Sequence, residues 1–317
     1  MSTMQALQWD GKDLAVRQID IPDRKQGEAR IKVLRAGICN TDLEILRGYH
    51  AFQGTLGHEF VGIVEACDNL GLVGCKVVSD INCACHACNI CTSGNPHHCQ
   101  NRVTVGIRGK DGVFAEYINL PERNLVPIRN DLPLELAVFA EPVAAALEIL
   151  EQVDCRNAGE CAVVGDGKLG LLVCMCLADA GVEVSLIGHH PERHALLDEF
   201  RVSFHSMPPV KLFPVVVEAS GHKSGFTTAL QLTRPQGTLV LKSTIADDVN
   251  FDTTPIVVNE LTLVGSRCGP MDKAVRLLES GRIAPQRLVD RITGLPDAVD
   301  AVRHAGTKGV LKVILQM

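Results

Sequence analysis

The pattern of apolar and polar residues differs between the two halves of the chain. Up to about residue 135, short alternating or β-branched runs are separated by Gly, Asp and Asn, which predicts the strands of a small barrel or sandwich. These predicted strands lie at 30–34, 61–65, 76–78 and 114–118. Helical spacing of apolar residues follows at 135–153, where Pro142 predicts an interruption.

Beyond residue 159, apolar runs alternate with helical patterns. The predicted strands lie at 161–164, 182–187, 215–219, 238–242 and 261–264. The predicted helices lie at 168–180, 225–232 and 271–280. This alternation implies a parallel sheet with right-handed crossovers. From about residue 287 the chain returns to short elements and ends in a predicted strand at 310–315.

Composition narrows the class of protein. Of the 317 residues, 46% are hydrophobic, which excludes a wholly disordered chain and suits two domains at this length. No apolar run approaches the roughly 18–20 residues that span a bilayer, and the first residues lack the pattern of a signal peptide. A net charge of −6 without basic clusters disfavours nucleic acid and anionic membranes as partners. We therefore expect a cytoplasmic protein that binds neither.

The thirteen cysteines are the unusual feature of the composition. Without a secretory signal their default state is the reduced thiol, and six of them fall between Cys75 and Cys99. Clustered thiols in such a chain indicate a metal site before redox chemistry.

Four of these thiols have the spacing of a metal site. They follow the pattern C-x2-C-x2-C-x7-C, at Cys85, Cys88, Cys91 and Cys99. Four thiolates on a loop rich in Gly, Asn and Pro predict a closed, tetrahedral structural zinc site. An iron–sulfur cluster is the alternative occupant. The alternative ligands nearby are Cys83, His86, His97 and His98.

A second set of metal-ligand types lies in two earlier segments. The first contains Cys39, Thr41 and Asp42, and the second contains His58 and Glu59. A thiol, an imidazole and a carboxylate are ligand types of a catalytic zinc, which keeps one position open for substrate. Taken singly, a cysteine is usually a core residue, and a histidine or glutamate usually lies at a surface or in a structural hydrogen bond. The spacing alone is therefore weak evidence for a metal here.

Three glycines form a motif that binds dinucleotides in other proteins. Gly165, Gly167 and Gly170 follow a predicted strand and open a predicted helix in the pattern G-x-G-x-x-G. A tight glycine turn lets backbone amides at the helix N-terminus approach a pyrophosphate. The motif therefore predicts a dinucleotide site that includes Lys168 and Leu169. A turn made only for helix–strand packing is the alternative.

The residues after the next predicted strand bear on the choice of dinucleotide. An acid at this position holds the ribose 2′-hydroxyl of NAD, but this chain has Gly188, His189 and His190, followed by Arg193. A small residue beside histidines and an arginine suits the 2′-phosphate of NADP. We therefore expect NADP to be slightly favoured over NAD. The alternative for the two histidines is a solvated turn.

These groups of residues, in this order, resemble the zinc-dependent medium-chain dehydrogenases of the alcohol dehydrogenase superfamily. The resemblance extends over essentially the whole chain, and the pair Glu141-Pro142 is typical of the branch with polyol, threonine and glucose dehydrogenases. Further stretches that match the family are 112–117, 218–221, 237–242 and 260–266.

The resemblance implies an α/β protein of two domains. A GroES-like, β-rich catalytic domain is expected at 1–137 and 270–317, with the structural zinc lobe at about 83–101. A Rossmann dinucleotide-binding domain, with a doubly wound parallel sheet, is expected at 138–269.

The resemblance also assigns roles to the ligand-type residues. Cys39 and His58 are expected to bind a catalytic zinc, Glu59 to be a direct or exchanging ligand, and Glu141 to bind directly or through water. Thr41 lies where the family places the hydroxyl that takes the substrate proton.

Three departures from the family pattern affect these expectations. Glu44 stands where a histidine often completes the proton relay, so that Glu44, His50, or the ribose hydroxyl with water ends the relay. The segment 200–214 is short for the strand and helix expected there. Asp166 and Lys168 lie inside the glycine motif, where the lysine favours a phosphate and the aspartate opposes it unless it points outward.

The implied function is an NAD(P)-linked, zinc-dependent oxidoreductase that interconverts a secondary alcohol or polyol and its ketone. We expect two zinc ions per chain, a small-molecule alcohol or ketone substrate, and a homodimer or homotetramer. A catalytically silent, nucleotide-binding member of the same fold, with a structural or regulatory role, is the alternative. A nucleic-acid-binding zinc module is disfavoured by the negative net charge.

Overall fold

The computed structural model of the chain describes residues 2–243 and 251–317, which form two compact units. The first unit consists of Met1–Glu141, Ala274–Glu279 and Ala284–Met317. The second consists of Pro142–Lys273 and Ser280–Ile283. None of the helices in these two described stretches is long and apolar enough to cross a membrane.

The secondary structure is rich in short strands. In chain order, the strands are β1 (Thr3–Trp9), β2 (Leu14–Asp20), β3 (Glu28–Gly37), β4 (Gly54–Thr55), β5 (Glu59–Ala66), β6 (Lys76–Ser79), β7 (Asn82–Cys83), β8 (Val103–Val105), β9 (Gly109–Lys110), β10 (Tyr117–Pro121), β11 (Leu125–Pro127), β12 (Glu160–Val164), β13 (Glu183–Ile187), β14 (Val202–His205), β15 (Phe213–Glu218), β16 (Thr233–Leu241), β17 (Thr262–Gly265), β18 (Val289–Gly294) and β19 (Lys312–Gln316). The α-helices are α1 (Asn40–Leu46), α2 (Asn89–Thr92), α3 (Leu134–Ala137), α4 (Ala140–Gln152), α5 (Cys155–Ala158), α6 (Lys168–Asp179), α7 (Lys223–Leu232), α8 (Thr254–Val258), α9 (Met271–Ser280) and α10 (Ala298–Ala305). Short 3₁₀ helices lie at Tyr49–Ala51, Leu70–Leu72, Pro96–His98, Glu122–Asn124, Pro191–Leu197, Pro285–Leu288 and Leu295–Asp297.

The first unit is built on a largely antiparallel sheet with the order β11-β6-β5-β3-β19-β18, and β10 also pairs with β3. Ile31 and Val33 of β3 are buried while Lys32 between them is exposed, the alternation of a strand with one buried face. Gly37, the last residue of β3, pairs with Glu59 at the start of β5. Gly37 also pairs with Ile314 of β19, so three strands that are distant in sequence meet at this point.

The second unit contains a six-stranded sheet with the order β14-β13-β12-β15-β16-β17. All five pairings are parallel, and the order corresponds to the 3-2-1-4-5-6 arrangement of dinucleotide-binding folds. The strands are apolar because helices cover the sheet; Ala162 and Val164 of β12 pack with Phe226 of α7. The predicted α/β class and the parallel sheet are confirmed.

The structure corrects the expected interruption of the helical segment at Pro142. The break lies at residues 138–139, between α3 and α4, and Pro142 lies in the first turn of α4. Amides of a first helical turn have no intrahelical acceptor, so a proline there removes no helical hydrogen bond. The short segment 200–214 keeps its strand, β14, whereas residues 206–212 contain no helix.

Candidate functional site

The segment that follows β3 turns sharply into α1. Cys39 is the N-cap residue of α1, and its backbone N–H donates to the Asp42 carboxylate at 2.8 Å. At Gly37, a Cβ atom would overlap the Glu59 carboxylate and lie 2.8 Å from a Val138 methyl group. The chain therefore needs glycine at the end of β3 so that Glu59 can approach Cys39.

Three predicted zinc ligands come together at this turn. Ligand atoms of Cys39, His58 and Glu59 all lie within 4.8 Å of one another. His58 and Glu59 are buried, and Cys39 is half-buried. The antiparallel register that sets Gly37 against Glu59 produces this proximity, because Cys39 lies just past β3 and His58 just before β5.

Asp42 orients the imidazole of His58. The Asp42 Oδ1 atom lies 3.3 Å from His58 Nδ1 and also accepts from Gly57 N at 3.3 Å. Nδ1 faces this carboxylate at ion-pair distance, although it makes no hydrogen bond with the described residues, and Nε2 is the nitrogen left to bind a metal. Burial alone would lower the pKa of His58, but Asp42 and Cys39 raise it well above 6.5. Negative groups that favour a proton on the imidazole equally favour a metal cation in its place.

Glu59 forms an ion pair with a residue near the end of the chain. Lys312 of β19 forms a buried ion pair with Glu59 Oε2, and its Nζ lies 3.4 Å from the carbonyl oxygen of Ile38. Burial would lower the pKa of Lys312, whereas the charges of Glu59 and Cys39 raise it. The ammonium therefore neutralises part of the negative charge of the ligand set.

The remaining residues predicted for catalysis lie at different distances from the ligands. Thr41 Oγ1 is 3.7 Å from Cys39 Sγ. Within residues 2–243 and 251–317, Glu141 is not among the converging ligand atoms; it lies half-buried in the first turn of α4. Glu44 is held by Arg47 at 2.6 Å, and His50 is exposed with a φ of 62°.

The four predicted structural ligands form a compact cluster. The sulfur–sulfur distances are 3.4 Å for Cys85–Cys99, 3.5 Å for Cys88–Cys91, 3.8 Å for Cys88–Cys99 and 4.0 Å for Cys85–Cys91. Four sulfurs that surround one ion tetrahedrally at about 2.3 Å lie about 3.8 Å apart, so these distances fit a zinc ion. Hydrogen bonds from the backbone N–H groups of Ala87 and Cys88 lower the pKa of the Cys85 thiol, which favours the thiolate that a metal requires.

Two of the alternative ligands of this lobe have other partners. His97 Nε2 lies 2.6 Å from an Asp80 carboxylate oxygen, and Cys83 is buried beside the side-chain amide of Asn124. Neither belongs to a cluster of potential metal ligands in the part of the chain that the structure describes. All thirteen cysteines lie within that part, and all are free thiols.

The glycine motif forms a tight turn between β12 and α6. A Cβ at Gly165 would lie 2.6 Å from the backbone of Ser220, and one at Gly170 would overlap the Gly165 carbonyl oxygen. A Cβ atom at Gly167, the N-cap residue of α6, would have no neighbouring atom within 4 Å. Two of the glycines therefore allow close packing, and the third leaves room above the helix N-terminus for a pyrophosphate.

The residues predicted to favour NADP contact Asp166 of the glycine motif. Asp166 accepts hydrogen bonds from the backbone N–H groups of His189 and His190 at 2.8 and 2.7 Å. His190 Nδ1 lies 3.1 Å from the same carboxylate, and Arg193 donates to the Asp166 carbonyl oxygen at 2.7 Å. The aspartate thus points toward the end of β13, at Gly188.

Two residues of the metal site act differently from what the sequence motifs indicate: Asp42 was grouped with the ligand types without a role of its own, and Lys312 belongs to none of the motifs. The position of Asp42 predicts a capping role, because an acid three residues after a helix N-cap often accepts a hydrogen bond from the N-cap backbone N–H. The apolar residues around Lys312 predict an ion pair, because a lysine inside a buried apolar strand needs an ionic partner.

Comparisons with known proteins identify the family of the chain. A family model for the alcohol dehydrogenase GroES-like domain matches residues 25–130, and one for zinc-binding dehydrogenases matches residues 209–280. Together they span more than half of the 317 residues.

Related proteins cover nearly the whole chain. D-arabinitol dehydrogenase 1 of Uromyces fabae is 27% identical over 96% of this chain and 94% of its own. Erythritol/L-threitol dehydrogenase of Mycolicibacterium smegmatis is 29% identical over 88% of each.

Solved structures show the same fold. Galactitol-1-phosphate dehydrogenase of Escherichia coli has a TM-score of 0.89 at 26% identity, with 100% of both chains covered. A zinc-binding dehydrogenase of Sinorhizobium meliloti 1021, solved with NADP, has a TM-score of 0.91 at 27% identity over 100% of both chains. The chain therefore belongs to the zinc-type medium-chain alcohol dehydrogenase family, in the branch that contains polyol dehydrogenases.

Proposed function

We propose that the protein is a zinc-dependent, NAD(P)-linked dehydrogenase that interconverts a secondary alcohol or polyol and its ketone by hydride transfer. The observation that carries this proposal is the convergence of Cys39, His58 and Glu59 within 4.8 Å, beside the hydroxyl of Thr41. A thiolate, an imidazole and a carboxylate form a donor set that suits zinc and leaves a position for substrate.

The donor set also fits zinc electrostatically. Cys39, Glu59 and Asp42 contribute acidic groups, and Lys312 offsets one of them. Bound here, zinc would act as a Lewis acid that lowers the pKa of the substrate hydroxyl. Glu141 is proposed as a further ligand, direct or through water, because it stands at the position that the polyol branch uses.

The residues of the chain hold the reacting groups and move the proton. Thr41, whose Oγ1 atom lies 3.7 Å from the Cys39 sulfur, accepts the proton of the substrate hydroxyl and passes its own hydroxyl proton to the next group of the relay. Asp42 fixes the ring of His58, and Lys312 holds the carboxylate of Glu59. The burial of these groups excludes water and strengthens their interactions with a developing alkoxide. Glu44, which is held by Arg47, or His50, or the ribose hydroxyl with water, then passes the proton to solvent.

The nucleotide is proposed to bind at the glycine motif of the second unit. Its pyrophosphate would lie above Gly167 at the N-terminus of α6, with Lys168 and Leu169 on the same turn. The cofactor supplies the hydride chemistry, while the protein sets the position of the nicotinamide.

Zinc content, assembly and location complete the proposal. The cluster of Cys85, Cys88, Cys91 and Cys99 holds a structural zinc, which gives two zinc ions per chain. We propose a cytoplasmic homodimer or homotetramer that acts on a small molecule. The relatives named for arabinitol, erythritol or threitol, and galactitol 1-phosphate favour a substrate with several hydroxyl groups.

A substrate panel tests this function. The zinc-loaded protein is assayed with sugars, polyols, amino-alcohols and simple secondary alcohols, each with NAD and with NADP. We expect reduction of the nucleotide with at least one polyol or secondary alcohol. Binding of nucleotide without turnover of any substrate would favour the catalytically silent alternative.

A further inference from the structure

Asp166 occupies the place where a side chain at the end of β13 would begin. Position 188 is glycine, and a Cβ built there would lie 2.5 Å from both Cβ and Cγ of Asp166 and would overlap its Oδ2. In dinucleotide-binding folds an acid at the end of this strand holds the adenosine ribose. Here the strand lacks the acid, and the glycine motif brings a carboxylate to the same point.

The Asp166 carboxylate is fixed by several donors. Oδ2 accepts from His189 N and His190 N, and both carboxylate oxygens lie 3.1 Å from His190 Nδ1. Arg193 lies 3.5 Å from Oδ1. A carboxylate has about four acceptor positions, so Oδ1 retains capacity for one further donor such as a hydroxyl.

These contacts change the role of the neighbouring basic residues. The sequence alone assigns His190 and Arg193 to a 2′-phosphate, but in the structure both face Asp166. Burial would raise the pKa of Asp166, yet hydrogen bonds from the side chain and backbone of His190 lower it below 3.8, so the group is ionised at neutral pH. A 2′-phosphate at this turn would therefore meet the Asp166 carboxylate, with the side chains of His190 and Arg193 already in contact with it.

We propose that Asp166 selects NAD(H) over NADP(H), by accepting a hydrogen bond from the ribose 2′-hydroxyl and repelling a 2′-phosphate. This proposal rests on the proposed use of the glycine motif for a dinucleotide. It reverses the preference for NADP that the absence of an acid after β13 indicates in the sequence.

The test is to measure by calorimetry how tightly the zinc-loaded protein binds NADH and NADPH in the absence of substrate. We expect the wild type to bind NADH more tightly, by a factor on the order of tenfold or more, as for a hydrogen bond to a charged group. Asp166→Gly removes the carboxylate that faces His190 and Arg193, so NADPH affinity should rise and NADH affinity should fall. Asp198→Asn, an exposed acid of the same unit, should leave the ratio unchanged.

A second variant separates selection from a purely structural role. Asp166→Gly combined with Gly188→Asp moves the acid to the end of β13 and clears the space that it needs. This pair should restore the preference for NADH, which a structural role for Asp166 does not predict. If Asp166→Gly fails to fold by circular dichroism, Asp166→Asn, which keeps the shape but loses the charge, should still raise the relative affinity for NADPH.

Three outcomes would overturn the proposal. Equal or tighter binding of NADPH by the wild type would overturn the selectivity and leave the proposed dehydrogenase function intact. A ratio that neither Asp166→Gly nor Asp166→Asn shifts would show that Asp166 does not set it. Binding of neither nucleotide would contradict both this proposal and the proposed function.

Discussion

Lys312 and Glu59 form an ion pair in which only 1% and 2% of the two side chains are exposed. They are 253 residues apart in the sequence, and strands β19 and β5 bring them together on either side of β3. Removal of water from two such charges is costly unless each satisfies the other. The pair therefore couples the last strand of the chain to the candidate zinc ligands.

Lys312→Met is predicted to destabilise the zinc-free protein by about 3–5 kcal/mol, because it leaves Glu59 charged, buried and unpaired. Zinc at the site would partly neutralise Glu59, so the loss should be smaller in the zinc-loaded protein. Denaturant unfolding of both forms measures the difference. Lys211→Met, which breaks an exposed pair with Glu160, is the control and should cost no more than about 1 kcal/mol. Equal losses for the two variants would contradict the structural role of Lys312.

Asp42→Asn is predicted to weaken zinc binding at the candidate active site by about 10–100-fold, because the imidazole of His58 loses its orienting carboxylate. Competition with a chelator of known affinity measures the change, and the four-cysteine lobe should keep its zinc. Asp300→Asn, on the exposed face of α10, is the matched control. Unchanged affinity in Asp42→Asn would show that Asp42 does not act on the ligand.

Gly37→Ala is predicted to cost about 1–3 kcal/mol and to lower activity, because the new methyl group would displace Glu59 or Val138. Gly265→Ala is the control, since a Cβ at Gly265 has no neighbour within 4 Å. Thermal unfolding and initial rates give both effects. A Gly37→Ala protein with wild-type stability and rate would mean that the turn adapts without moving Glu59.

Asp166 is predicted to make the unfolding free energy depend on pH. Its pKa is lowered in the folded protein, so its contribution is complete above the ordinary value of 3.8 and is lost as the pH falls through the folded pKa. The difference in unfolding free energy between wild type and Asp166→Asn should therefore be constant near neutrality and shrink in acid. A difference that grows as the pH falls would contradict the assigned direction.

Features encoded by neighbouring residues were predictable from the sequence. The spacing from Cys85 to Cys99 is local, and the cluster of four sulfurs has the expected composition. The glycine motif likewise lies between a strand and a helix, as its local pattern predicts. In both cases one short segment contains all the residues that determine the geometry.

Features set by strand register and side-chain direction were not predictable in the same way. Lys312 meets Glu59 only because β19 and β5 flank β3. Asp166 could point toward a phosphate or away from it, and its contacts with the turn after β13 decide between these directions. The grouping of Cys39 with His58 was predictable only through the family resemblance, since their spacing alone is uninformative.

The most direct test of the central claim is the turnover of Cys39→Ser in a metal-defined buffer, with zinc content determined on the same sample. If Cys39 binds a catalytic zinc, nucleotide-linked oxidation of the best polyol should fall to background, and zinc should fall from two ions per chain to one. Cys75→Ser, a half-buried thiol outside both clusters, should keep both zinc ions and full activity. Full turnover by Cys39→Ser would contradict a catalytic zinc at this site.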